Sequence, residues 1–96
     1  MVERTLLVTA PLGLHARAAA KLVRVVSEFA SEVQLRRLDS SVSADAKSIL
    51  GVLMLAASCG TRLHVCAEGV DEEAAVNALD SLFAEGFGEA IPGSSC

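Results

Sequence analysis

The apolar residues change their spacing at Pro11–Gly13, and that change constrains the fold more than any other feature of the chain. Before it, "RTLLVTA" (Arg4 to Ala10) is a short β-rich run, read as a first strand. After it, Ala19, Leu22, Val23, Val26, Phe29 and Ala30 recur at helical spacing, while Arg17, Lys21, Arg24 and Glu28 fall on the opposite side. The chain must therefore turn from a strand into an amphipathic helix of about three turns that carries a basic stripe.

The alternation of periods continues downstream. "SEVQLRRL" alternates through Val33 and Leu35 and predicts a second strand. Asp39 to Ser41 has turn chemistry, and "VSAD" predicts a third strand close enough to form a hairpin with the second. "AKSILGVLMLAAS" (Ala46 to Ser58) is apolar nearly all round, which fits a buried helix or a strand. Its length and its Ala, Leu and Met content favour the helix, with Gly51 as a weak point. Gly60 marks a turn, and "TRLHVCA" alternates Leu63, Val65 and Ala67 against Arg62, His64 and Cys66, as a strand does. "GVDEEAAVNALDSLFAEG" is the strongest helix. Asp71 is placed to cap it, Glu72 and Glu73 suit its positive end, and Ala75, Ala78, Leu79, Leu82 and Phe83 form its buried face, with Gly86 at the stop. "GEAIPGSSC" reads as frayed.

The order strand, helix, strand, strand, helix, strand, helix predicts a two-layer α+β fold, with helices on one face of a sheet and solvent on the other. The 96 residues suit one small domain, taken as residues 1–88, followed by a flexible tail over residues 89–96.

Composition removes several classes of function. A formal charge of −4 argues against nucleic-acid binding, which rests on neutralising phosphates, and the absence of Trp and Tyr removes most base-stacking surface. No apolar run is long enough to insert in a membrane, and the N-terminus does not read as a signal peptide, so the expected compartment is the cytoplasm. Cys59, Cys66 and Cys96 have no metal-ligand spacing and are expected as reduced thiols. No metal and no cofactor are expected.

One residue stands out chemically. His15 lies where the turn meets the first helix, a position that Ser, Thr, Asp and Asn usually occupy. A helix N-terminus offers unsatisfied N–H groups and partial positive charge, which makes it a site for phosphate, sulfate or carboxylate. An imidazole there can hold a covalent phosphoryl group whose oxygens receive N–H bonds from Ala16, Arg17 or Ala18. The Arg17 guanidinium adds a fork suited to phosphate. An imidazole is substantially neutral near pH 7 and is a good relay nucleophile. A lone histidine in a turn is by default an idle solvated side chain, so a reversible anion-binding domain and an acid–base enzyme remain competing readings. No carboxylate lies near in sequence to act as the base of a hydrolase.

"GLHARAAAKLV" resembles the active-site motif of the HPr family, the histidine-containing phosphocarrier proteins of the phosphoenolpyruvate-dependent phosphotransferase system. "AKSILGVLMLAAS" followed by "GTRLHV" is similar to the second family motif, and "AEGVDEEAAVNAL" with "EGFGE" to the closing helix and its end. The resemblance implies an open-faced β-sandwich, a four-stranded antiparallel sheet with three helices on one face (βαββαβα). It implies a non-enzymatic carrier phosphorylated at His15 Nδ1 by phospho-Enzyme I, which passes the group to an EIIA-type protein in sugar uptake. A nitrogen-type regulatory relay is the alternative. Arg17 matches the family's phosphate-stabilising arginine. Ile49, Leu50 and Leu53 would form an apolar docking patch, with Arg17, Lys21 and Arg24 as its basic rim, and Ser48 matches the serine that HPr kinase/phosphorylase modifies in some members. His64 reads as a surface residue of the open sheet face. Two departures are visible. Ala18 stands where the family commonly has Pro, and the segment near "RRLDSS" is about two residues longer, a difference a hairpin loop absorbs cheaply.

Overall fold

The computed structural model describes residues 1–88. Its elements are β1 (Val2–Leu7), α1 (Ala16–Ser27), β2 (Glu32–Arg37), β3 (Ser43–Asp45), α2 (Ile49–Met54), β4 (Arg62–Glu68) and α3 (Glu72–Ala84), followed by a 3-10 turn at Gly86–Gly88. The strands form one antiparallel sheet in the order β1-β4-β2-β3. The three helices cover one face and the other is open, as the sequence resemblance implied. The tail expected over residues 89–96, with Cys96, lies outside the described residues.

Alternation sets the register. Val33 and Leu35 of β2 stand opposite Ala67 and Val65 of β4, and all four are fully buried. Their neighbours Gln34 and Arg36 are exposed, opposite Cys66 and His64. A slip of one residue would move every one of these side chains to the wrong face, so burial of one sheet face fixes the pairing. His64 is on the open face as expected, half-buried, with Nε2 2.9 Å from Glu3 Oε1.

The helices depart from expectation in detail. Ala18, Ala19, Leu22 and Val26 form the buried stripe of α1, while Val23 and Phe29 only flank the core and Ala30 is exposed. On α3 the buried face is Ala75, Val76, Leu79 and Phe83, with Ala78 and Leu82 half-buried. The largest correction concerns "AKSILGVLMLAAS". Only Ile49–Met54 is helical, and within it only Val52 is buried. A uniformly apolar run carries no period from which a helix's length or inner face can be read. Cys66 is a free thiol, but Cys59 is disulfide-bonded, which corrects the expectation of reduced thiols.

Asp71 also does something other than capping. It sits at the N-cap of α3 without a side-chain cap bond. Its carboxylate instead accepts the N–H of Ala30 (2.8 Å), the N–H of Ser31 (2.9 Å) and the Ser31 hydroxyl. It thereby ties the start of α3 to the turn between α1 and β2. Ser31 is fully buried, and Gly69 allows the approach, since a Cβ there would lie 2.5 Å from Ser31 Oγ. The Ser31 hydroxyl and the two backbone N–H groups hold the Asp71 carboxyl below its usual range. A carboxyl held low in the fold adds stability that is complete above its unfolded value, about 3.9, and vanishes as pH falls through the folded value. Urea titrations should therefore show Asp71→Ala clearly less stable than wild type at pH 7. The gap should narrow progressively below about pH 4.

Candidate functional site

The turn that delivers His15 is pinned to a distant loop. Leu14 N–H donates to the Ala57 carbonyl at 2.8 Å, and Gly13 N–H donates to Ala10 O at 2.8 Å. Gly13 has φ +69, and a Cβ on it would lie 2.5 Å from Ala57 O and 2.8 Å from Ser58 Cα. Only glycine permits both the left-handed backbone and this contact.

His15 then caps α1. Its backbone is extended (φ −73, ψ −179), its carbonyl accepts the N–H of Ala19 at 2.8 Å, and its Nδ1 accepts the N–H of Arg17 at 3.3 Å. An acceptor Nδ1 holds a lone pair, so the proton of the neutral ring sits on Nε2. The ring thus directs an unprotonated nitrogen at the N-terminus of α1, in the place of the usual serine or aspartate oxygen. No acidic residue occupies the first turn of the helix.

His15, Ala16, Arg17 and Lys21 line one open pocket of about 580 Å³ with Pro11, Leu12 and Gly88. The Arg17 side chain is exposed and makes no ion pair among the described residues. Lys21 is half-buried and donates from Nζ to the Phe87 carbonyl at 2.7 Å, so it joins α1 to the closing turn as well as facing the pocket. Phe87 is itself buried, with its ring centroid 4.9 Å from that of Phe83. Ala18 offers only backbone, because its side chain is in the core. Arg24 is exposed farther along α1 and does not line the pocket. Among the described residues no His, Cys, Asp and Glu group is arranged to hold a metal ion. No helix among them is long and apolar enough to cross a membrane.

Known proteins resemble the chain over most of its length. A family model described as the PTS HPr component phosphorylation site matches residues 2–85. The chain belongs to the HPr family. It is 49% identical over 89 residues to the phosphocarrier protein HPr of Xylella fastidiosa strain 9a5c, covering 93% of this chain and 98% of the relative. It is 41% identical over 88 residues to the phosphocarrier protein NPr of Escherichia coli K12, covering 92% and 97%. A solved structure, HPr-C-His from Thermoanaerobacter tengcongensis, is 38% identical with a TM-score of 0.88, covering 95% of this chain and all of that one.

Beside the pocket this HPr-family chain exposes apolar residues that a folded core would normally claim. Ser48 caps α2 by accepting the N–H of Gly51 at 3.1 Å. From that start Ile49, Leu50, Leu53 and Met54 all face solvent, Leu50 at 67% and Met54 at 71% exposure. Leu12, in the pocket wall, is 75% exposed. Sequence reading singled out Ile49, Leu50 and Leu53, but it missed Leu12 and Met54. Nothing in a local apolar pattern marks a leucine or methionine as outward-facing.

Because Gly13 seats the turn against Ala57, Gly13→Ala must shift it. The left-handed backbone and the overpacked contact together should cost about 2–4 kcal/mol. Equilibrium urea denaturation checks this value. A stability within about 0.5 kcal/mol of wild type would show that the turn relaxes freely.

Proposed function

We propose that the chain is a phosphoryl carrier in which His15 Nδ1 takes a phosphoryl group from phospho-Enzyme I. It then passes the group to an EIIA-type protein of the sugar phosphotransferase system. The observation that carries this reading is the Nδ1 lone pair held at the N-terminus of α1 by Arg17 N–H. Nδ1 attacks phosphorus with that lone pair, and the donor's nitrogen or oxygen leaves with the electrons of the bond it had formed. The product ring carries phosphoryl on Nδ1 and the proton on Nε2. The N–H groups of Ala16, Arg17 and Ala18 and the Arg17 guanidinium then receive the phosphoryl oxygens.

We take the chain as a carrier, not an enzyme, whose partners read Ile49, Leu50 and Leu53 as an apolar patch with Lys21 and Arg24 at its rim. Met54 and Leu12 extend that patch. The charge complement is an acidic partner surface. The likeness to NPr favours a second reading, a nitrogen-type regulatory relay built on the same chemistry. Comparing transfer from sugar-type and nitrogen-type Enzyme I separates the two.

Intact-mass measurement after incubation with phosphoenolpyruvate and Enzyme I should show one added phosphoryl group, absent in His15→Ala. Arg17→Ala should slow transfer about 10- to 100-fold with little change in melting temperature, because one charge-assisted contact is worth about 1.5–3 kcal/mol and the exposed Arg17 packs on nothing in the core. A phosphorylated His15→Ala variant would overturn the proposal.

Ser48 is exposed and opens the apolar patch, so a negative charge there should obstruct docking without unfolding α2, whose dipole tolerates it. HPr kinase/phosphorylase is the enzyme that would add such a charge as phosphate. Ser48→Asp should be phosphorylated at His15 several-fold more slowly at low salt while melting near wild type. Steady-state rates with Enzyme I and a circular-dichroism melt check both halves.

A further inference from the structure

The short helix α2 closes on the backbone that follows it: the Leu55 N–H donates to the Gly51 and Val52 carbonyls at 3.2 Å and the Ala56 N–H to the Leu53 carbonyl at 3.1 Å. It spans six residues, contains Gly51, and has no basic residue in its last turn. A helix this short does not persist without tertiary support. The Leu55 and Ala56 carbonyls, just past its end, must also find donors. Beyond the helix, Ala56 has φ +50, a left-handed conformation that costs an alanine energy unless its surroundings impose it.

Those donors come from the sheet. Arg37, the last residue of β2, donates from Nη1 to the Leu55 carbonyl at 2.9 Å and to the Ala56 carbonyl at 3.1 Å. Its other edge is braced by Asp39, with Nε to Oδ1 and Nη2 to Oδ2 both at 2.8 Å. The guanidinium thus spans the β2–β3 loop and the end of α2, with its planar fork fully oriented. The Arg37 side chain is only 22% exposed.

We propose that Arg37, braced by Asp39, is a positioning residue for docking: it fixes the end of α2 and so presents Leu50, Leu53 and Met54 in the arrangement a phosphoryl-donor protein engages. This rests on the carrier reading above. Without the clamp α2 still forms from its Ser48 cap, but its last turn samples other arrangements. Apparent affinity for a docking partner falls in proportion to the competent fraction. The chemistry at His15 is untouched, since neither Arg37 nor Asp39 lines that pocket.

Steady-state transfer from phospho-Enzyme I, with Arg37→Gln, Asp39→Asn and Arg37→Lys against wild type, tests this. If the competent fraction drops to about a tenth, the KM for the carrier rises about tenfold in Arg37→Gln, with kcat nearly unchanged. Asp39→Asn also raises KM, although it makes the surface more positive, and Arg37→Lys recovers part of the loss. Phosphorylation of His15 by phosphoramidate, a small donor that needs no docking, keeps the wild-type rate in all three. Amide exchange at Leu55 and Ala56 accelerates in Arg37→Gln while exchange in α3 does not. A folded Arg37→Gln with wild-type KM overturns the proposal. A lower KM in Asp39→Asn also overturns it, and points to direct charge contact with the partner. If wild type accepts no phosphate from Enzyme I but does from phosphoramidate, the docking role and the carrier reading of α2 both fall, and faster exchange at Leu55 and Ala56 alone does not restore either.

Discussion

The hydrogen bond from Leu14 N–H to the Ala57 carbonyl, made across a contact that only Gly13 allows, is the constraint on which the site depends. It fixes where the chain leaves the β1 side of the molecule and where α1 begins. His15 is the next residue, so that backbone bond sets where its ring starts. The ring then completes the cap with Nδ1. A capping serine would satisfy the same N–H, but only imidazole also offers a nucleophilic lone pair and a proton on the opposite nitrogen.

Charge and apolar surface are segregated around that ring. The chain as a whole has a formal charge of −4, yet Arg17, Lys21 and Arg24 all lie on α1, and α2 exposes its leucines and Met54 close by. In the carrier function proposed above, that basic rim would steer an acidic partner. The clamps that support the site are buried or half-buried and use side chains from distant segments: Asp71 for the α1–β2 turn, Lys21 for the closing turn, and Arg37 for the end of α2.

Those clamps mark the boundary of what was legible in the sequence. The strands and the two long helices were legible, because Val33, Leu35, Leu63 and Val65 alternate and Leu22, Val26, Leu79 and Phe83 recur at helical spacing. The position of His15 before α1 was legible for the same reason. The inner face of α2 was not, because its residues are apolar on all sides and the fold buries only Val52 among them. Asp71 was read as a local cap, but its partners lie about 40 residues upstream, a separation at which no local pattern speaks. The basic stripe likewise hid the fact that Lys21 donates to Phe87, 66 positions away. Local periodicity reports which face is buried, and it is silent on which polar groups meet across the core.

The claim that the Nδ1 lone pair at the α1 N-terminus is the phosphate acceptor is tested most directly by nitrogen NMR of the imidazole rings. Spectra of the chain before and after phosphorylation resolve Nδ1 and Nε2 of His15 and of His64. The account predicts phosphorus coupling at His15 Nδ1 alone, with the Arg17 amide proton shifting as its acceptor changes from ring nitrogen to phosphoryl oxygen. Phosphorus coupling at His15 Nε2, or on His64, would contradict it.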